Sequence, residues 1–515
     1  MMDDRLSRRD VLRLAGGLSG AAAVSRFLGG AQRSAAGAAR HNVIILVFDA
    51  LSAANMSVFG YPRQTTPNFE SFAERAVVFH SHRANGNFTT PGVASLLTGM
   101  LPWTHRALNS AGLIERSLAE RSIFHVLGAG YRRLAYTQNY WADYLLNQFS
   151  ADLDDHVPLS AFGEVDDVIV DERFTGDALV AYRAYESLFF QGSFQNPNSL
   201  LFGFWLNWYY QRRVRRSTPP EYPLGLPTSN HLHHVYTVES SIDGVLAQIA
   251  RLEAGEAPYL AYFHVWPPHS PYRPRVDFLN RFADDEFRPV NKRQHPLSSD
   301  SSQQKLDDYR RQYDAFLAHV DSEFGRALET LKQAGVLDRA FLFVTSDHGE
   351  MFERGTFGHF TPLMFEPVVR VPLLVSVPGS DRRVDIRTPT SSVDLLPTLA
   401  KLALRPYPEW AEGQPLPGLG GVEDDTRLLF TVEAKRNASR QPLRTATFAV
   451  VQGTQKLIHY VGYEGKFEDH SELYDLENDP EEMNDLSARA KGGQQFKFML
   501  DALLERIHLA DAKYR

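Results

Sequence analysis

Residues 41–99 read HNVIILVFDALSAANMSVFGYPRQTTPNFESFAERAVVFHSHRANGNFTTPGVASLLTG, and this stretch decides the fold. Val43 to Phe48 is an apolar run of β-branched and aromatic residues that stops on one carboxylate, Asp49. A run this short and this apolar reads as a strand covered on both faces. A carboxylate at the C-terminal end of such a strand lies where open α/β sheets bind their ligands. Further on, Asn87-Phe88-Thr89-Thr90-Pro91-Gly92 leads into Val93-Ala94-Ser95-Leu96-Leu97, an apolar segment of helical character. On local grounds a Thr before a Pro-initiated helix is an N-cap. The same helix N-terminus would also stabilise a nucleophile and the anionic ester it attacks.

Outward from this stretch, strand-like and helical segments alternate. Ala76–His80, Arg133–Thr137, Tyr259–Val265, Ala340–Ser346 and Arg370–Val375 read as strands. Between them, Pro67–Ala76, Leu118–Leu127, His234–Leu252 and Asp307–Ala334 carry helical periodicity. This βαβ rhythm predicts an α/β fold with a doubly wound, mostly parallel central sheet flanked by helices. The main domain is expected over residues 41–405, followed by a Pro/Gly-rich linker, 406–425, that wraps the surface. Leu428–Val432, Thr447–Val451 and Lys456–Tyr460 then alternate as strands do. With a final helix near 492–510 they predict a smaller C-terminal α+β subdomain, 426–515.

Residues 150–230 depart from the rhythm. Phe202-Gly203-Phe204-Trp205-Leu206-Asn207-Trp208-Tyr209-Tyr210 runs into Arg212-Arg213-Val214-Arg215-Arg216. This pattern suits a core helix pair with a solvated basic end, a lid over the site, or peripheral contact with a membrane through Phe202–Arg216. His231, His233 and His234 crowd the next helix start; without a nearby carboxylate they read as a solvated turn rather than a metal site.

The chain has 515 residues, 43% hydrophobic and 23% charged, enough for a large soluble core. Its formal charge of −8 argues against a nucleic-acid partner. The absence of cysteine excludes disulfides, thiolate catalysis and cysteine-zinc sites. Ser7-Arg8-Arg9-Asp10-Val11-Leu12-Arg13, followed by the Gly/Ala-rich run Leu14–Val24, resembles a twin-arginine export signal. Residues 1–40 are therefore expected to be a signal and leader, placing the mature protein in the periplasm or cell envelope. The other reading is a disordered basic leader.

Several motifs together resemble the sulfatase family of the alkaline phosphatase superfamily. They are the strand ending on Asp49, the Thr66-Pro67-Asn68-Phe69 turn and the loop ending Leu97-Thr98-Gly99-Met100-Leu101-Pro102. Pro268-His269-Ser270-Pro271, Asp347-His348-Gly349-Glu350 and Glu472-Leu473-Tyr474-Asp475-Leu476 complete the set. The resemblance implies a metal shell of Asp49, Thr89, Asp347 and His348 around one divalent ion (Mn, Mg, Zn or Ca). It also implies Thr89 as nucleophile, with His359 and His269 flanking the leaving oxygen.

The departures matter as much. Formylglycine sulfatases carry Cys or Ser where Thr89 stands, and threonine cannot become formylglycine. Val93 replaces the usual Arg, Ala50 replaces a second Asp, and Tyr136–Trp141 lacks the usual Lys. Asn87, Gln138 and Asn139 are then expected to offer neutral hydrogen bonds to the substrate. The reading is an exported, metal-dependent hydrolase or transferase acting on phosphoric or sulfuric esters of small molecules, lipids or glycans. A phosphodiester-type substrate is favoured. The alternatives are a true sulfatase without formylglycine and a catalytically silent member that binds envelope components.

Overall fold

The computed structural model describes residues 41–110, 112–164, 212–229, 234–491 and 493–514. An eight-stranded sheet forms the centre. Its strands are β1 (Asn42–Phe48), β2 (Ala76–Phe79), β3 (Arg132–Thr137), β4 (Asp155–His156), β5 (Tyr259–Val265), β6 (Ala340–Thr345), β7 (Leu373–Ser376) and β8 (Val384–Ile386). Their order across the sheet is β8-β2-β7-β6-β1-β5-β3-β4. Every pairing is parallel except those of β7, which runs against both β6 and β2.

The apolar run of β1 is central because both its faces are covered. Ile44, Leu46 and Phe48 enter one core, whereas Val43, Ile45 and Val47 enter the other, the period of two that a pleated strand imposes. On the first face pack α1 (Pro67–Ala73), α4 (Val238–Glu253) and α5 (Gln303–Gln333). On the second pack α2 (Thr89–Thr98), α3 (Tyr140–Gln148) and α6 (Leu395–Leu402). Each Leu, Val or Phe fully buried in these layers contributes about 1.5–3 kcal/mol.

The smaller unit is an antiparallel sheet of β9 (Leu429–Glu433), β10 (Ala446–Gln452), β11 (Gln455–Val461) and β12 (His470–Asp475). Helix α7 (Gln494–Asp511) covers it through Phe496, Met499 and Leu503. Leu101, Trp103, Leu108 and Val393 of the main unit share that core. A buried ionic cluster reinforces the seam. Arg83 donates to both oxygens of Glu366 at 3.1 and 2.8 Å, and Lys456 of β11 reaches Glu366 at 2.9 Å and Glu482 at 2.8 Å.

Three local expectations are corrected. The segment after His233 is not helical at once: His234–Val235 pairs with Thr228–Ser229, and the helix starts at Val238 behind a Thr237–Ser240 capping box. Residues 406–425 do not merely wrap the surface, because Leu416 and Leu419 are buried in the second core. The N-cap of α2 is Phe88, with Thr89 inside the first turn. The aromatic run 202–210, His231, His233 and the leader 1–40 lie outside the described residues.

A candidate metal and ester site at the strand ends

The register of the central sheet assembles the site. Val47 pairs with Thr345 on one side and with His264 on the other, so the residues just past β1 and β6 lie side by side. Asp49 and Asp347-His348 occupy those positions, and all three are fully buried. Ligand atoms of Asp49, Asp347 and His348 lie within 4.8 Å of one another. His348 Nε2 is 3.4 Å from Asp49 Oδ1 and 3.5 Å from Asp347 Oδ2.

The donor set fits a divalent cation. Asp49 Oδ1 and Asp347 Oδ2 are buried without a hydrogen-bond partner, a costly state for a carboxylate unless a cation faces it. Burial and the charge of Asp49 raise the Asp347 carboxyl above its ordinary range. Burial pushes Asp49 the same way, but His269, His264 and His348 outweigh it and hold that carboxyl well below its ordinary range. Burial would lower His348, yet Asp347 and Asp49 raise it to about 9. His348 Nδ1 donates to the Gly349 carbonyl at 2.9 Å, which orients Nε2 toward the carboxylates.

Thr89 brings its hydroxyl to this cluster from the first turn of α2. Its Oγ1 lies 3.4 Å from His348 Nε2 and accepts from Asn139 Nδ2 at 3.0 Å. The helix follows an extended Phe88 that makes no side-chain cap, so the positive end of the helix dipole lies beside the Thr89 hydroxyl. Asn139 is the link. Its Nδ2 also donates to Asp49 Oδ2 at 2.7 Å, and its Oδ1 caps α3 by accepting from Trp141 N at 2.9 Å.

Two further histidines flank the cluster. His269 and His359 have ring centroids 4.8 Å apart, and the His359 ring is 4.1 Å from that of His348. Burial lowers His269 to about 4; burial and His348 hold His359 well below its ordinary range. His359 Nδ1 meets Glu350 Oε1 at 2.9 Å, and Tyr272 donates its hydroxyl to Glu350 Oε2 at 2.9 Å. Burial raises the Glu350 carboxyl to about 7. Below that pH the Glu350–His359 pair carries a proton beside the cluster.

Most residues picked out in the sequence converge, but two have other duties. Gln138 was expected to face a substrate; instead Nε2 donates to Ser241 at 2.9 Å and Oε1 accepts from Trp266 N at 2.8 Å, so it ties β3 to β5. Asn87 donates to the carbonyls of His359 at 3.2 Å and Thr361 at 2.5 Å, which fixes the His359 loop and leaves only its Oδ1 unpartnered. Sequence reasoning missed His264, which reads as one more residue of an apolar strand. Its Nε2 is 3.3 Å from Asp49 Oδ2 and 3.6 Å from Asp347 Oδ2. The available signal was its place one residue before Val265, the last of the strand, inside a run otherwise apolar. Among the described residues, the hydrogen-bond and ionic partners of Asp49, Thr89, Asp347 and His348 include no Lys or Arg.

A family model described as Sulfatase matches residues 41–404, and a second, described as N-sulphoglucosamine sulphohydrolase, C-terminal, matches residues 355–509. Choline-sulfatase of Rhizobium meliloti (strain 1021) is 25% identical over 483 residues, covering 88% of this chain and 83% of that protein. Phosphonate monoester hydrolase from Silicibacter pomeroyi superposes with a TM-score of 0.63 at 18% identity, covering 92% of this chain and 96% of its own. The phosphonate monoester hydrolase of Agrobacterium radiobacter gives 0.63 at 19% identity, with coverage of 92% and 96%.

Proposed function

The chain belongs to the sulfatase family of ester hydrolases, and from that premise we propose that it cleaves singly charged esters of phosphoric or sulfuric acid through Thr89, phosphodiesters being favoured. The observation that carries this reading is the Thr89 hydroxyl at a helix N-terminus, 3.4 Å from His348 and held by Asn139 at 3.0 Å. Asp49, Asp347, His348 and Thr89 would hold a divalent cation, which neutralises an ester oxygen and acidifies the Thr89 hydroxyl.

In the proposed reaction Thr89 Oγ1 bonds to the phosphorus or sulfur as the bond to the leaving oxygen breaks. Glu350, which carries a proton below about 7, passes it through the neutral His359 ring to that oxygen, with His269 opposite it. Amides of the first turn of α2 stabilise the charge that develops on the central group. Water then cleaves the Thr89 ester and regenerates the hydroxyl; an acceptor alcohol in place of water would make the same site a transferase. That no Lys or Arg of the described residues pairs with Asp49, Thr89, Asp347 or His348 supports a substrate with one negative charge rather than two.

Choline-sulfatase as a relative spanning most of both chains favours a second reading, hydrolysis of a sulfate monoester without formylglycine. Export through the twin-arginine-like leader belongs to the proposal, as does peripheral membrane contact near Phe202–Arg216.

The test is turnover by the Mn²⁺-loaded full chain of an aryl phosphodiester, aryl phosphonate monoester, aryl phosphomonoester and aryl sulfate. Thr89→Ala and Thr89→Ser are assayed in parallel. Expected is phosphodiester turnover that falls on the order of 10⁴-fold or more in Thr89→Ala and survives in Thr89→Ser. A Thr89 adduct should accumulate with a slow substrate. Preference for the sulfate establishes the second reading, and a Thr89→Ala variant within tenfold of the parent refutes the nucleophile.

A further inference from the structure

We propose that Arg273 and Tyr236 form an anion subsite beside the strand-end cluster, and that the substrate bears a second oxyanion apart from its scissile ester. This rests on the reading of the cluster as an ester-cleaving site, and it narrows the substrate class. Arg273 belongs to the segment that builds that site. His269, four residues earlier, has its ring 4.8 Å from that of His359. Tyr272, the residue before, donates its hydroxyl to Glu350 Oε2 at 2.9 Å. Arg275, two residues on, is met by Glu239 at 2.5 Å and Asp277 at 2.8 Å. Arg273 is met by no carboxylate among the described residues; its one hydrogen bond there runs from Nη1 to the Leu226 carbonyl at 2.9 Å. Burial lowers its guanidinium below the ordinary range, as it does for a cation taken from water without a counter-charge.

Tyr236 supplies the second donor. It is fully buried and its hydroxyl has no hydrogen-bond partner, a state that interior polar groups rarely keep. Burial raises that hydroxyl well above its ordinary range; Asp49 and Tyr222 add to the rise and Arg273 opposes it, so the hydroxyl feels both Asp49 and Arg273. The strand pair of Thr228–Ser229 with His234–Val235 holds the two donors together. Leu226 just before it accepts from Arg273, and Tyr236 just after it donates its N–H to the Pro227 carbonyl at 3.2 Å. Nε and Nη2 of Arg273 remain as the planar edge that binds both oxygens of a carboxylate, phosphate or sulfate. Arg273 pairs with none of Asp49, Thr89, Asp347 or His348, so its charge serves a group other than the ester at Thr89.

The experiment gives the Mn²⁺-loaded full chain 4-nitrophenyl phosphodiesters whose second alcohol is propanol, 3-hydroxypropanoate, 2-hydroxyethyl phosphate or choline. Parent, Arg273→Met and Arg273→Lys are compared, kcat and KM being read separately, and circular dichroism checks that the variants fold. Calorimetry with propylphosphonate and 3-phosphonopropanoate, inert ligands that differ by one carboxylate, repeats the comparison as a Kd. Expected in the parent is a kcat/KM at least ~10-fold higher for an anionic ester than for the propyl ester, gained in KM, with the choline ester lowest. The carboxylate and phosphate arms show which oxyanion is preferred. Arg273→Met should lose the preference in both KM and Kd, and Arg273→Lys should keep part of it. A parent that treats the anionic and propyl esters alike, or prefers the choline ester, overturns the proposal, and that result needs no variant to fold. So does a folded Arg273→Met that retains the full preference. A parent that turns over none of the four esters and binds neither phosphonate overturns the ester-site reading itself, a result separate from either.

Discussion

Gly92 should be intolerant of a single added methyl group, and the site should feel it before the fold does. The residue lies in the first turn of α2, three positions after Thr89. A Cβ there would stand 2.2 Å from the carbonyl oxygen of Asp347 and 3.0 Å from its carbonyl carbon. Ordinary contact needs about 1 Å more than the first of these distances. Both sides of the clash are backbone, so no rotamer relieves it; α2 must move away from the end of β6. Overpacking of this kind costs about 1–3 kcal/mol. The same displacement separates Thr89 from His348 and Asp347, and a 1 Å misplacement of a reacting group costs on the order of 100-fold in rate. Gly92→Ala is therefore expected to remain folded, with kcat on the preferred aryl ester reduced about 100-fold. Stopped-flow or continuous colorimetric turnover gives the rate, and thermal unfolding of the same sample gives the stability. A Gly92→Ala protein with kcat within threefold of the parent would refute the claim that this close approach sets the nucleophile's position.

Lys456→Met removes the cation shared by Glu366 and Glu482 and leaves two buried carboxylates with fewer partners. The expected loss is about 3–5 kcal/mol in urea unfolding, and a loss under about 1 kcal/mol would mean that the cluster is solvated or relaxes. Glu239 tests the pH dependence of stability. Burial would raise its carboxyl, but His319 and Tyr222 pull it from the ordinary 4.5 to about 2. A carboxyl depressed on folding stabilises the protein fully above its unfolded value and loses that contribution as pH falls from there toward 2. Acid titration of Glu239→Gln should be flatter than the parent between those limits; identical curves would show that Glu239 gains nothing on folding.

The central layers were readable because their signal is local. Val43–Phe48, Tyr259–Val265 and Ala340–Ser346 announce themselves as apolar β-branched runs, and each carries a polar residue at or just beyond its end. Asp49, Asp347, His348 and Thr89 were accessible for the same reason, helped by their resemblance to known motifs. What the sequence hid depends on partners distant along the chain. Gln138 looks available to a substrate until Ser241 and Trp266 are seen to occupy both its ends. Thr89 looks like a cap until Phe88 is found in that position. His264 lies inside an apolar strand, and only the register Val47↔His264 brings it against Asp49. The short edge strand Val384–Ile386 gave no periodic signal because its burial depends on β2 beside it.

The departures at positions 50 and 93 are best understood together. Val93 is buried among the apolar residues behind α2, where a guanidinium would lack a partner unless it reached the anion. Ala50 adopts a left-handed backbone at φ 60, and its N–H lies 3.4 Å from Asp347 Oδ1. Beyond the lysine absent from Tyr136–Trp141, the site has given up one carboxylate at position 50 and one guanidinium at position 93 relative to the family pattern, and these two losses cancel in fixed charge. The two losses act on different partners, however. A divalent ion among three carboxylates is formally anionic and leaves an arginine to attract the ester. Among two carboxylates and one neutral imidazole it would be formally neutral and attract the ester itself. A site built this way needs no arginine at position 93 to bind a singly charged ester, but it draws a doubly charged monoester less strongly than an arginine-bearing site would. The proposed preference for a monoanionic ester group is thus a consequence of this exchange.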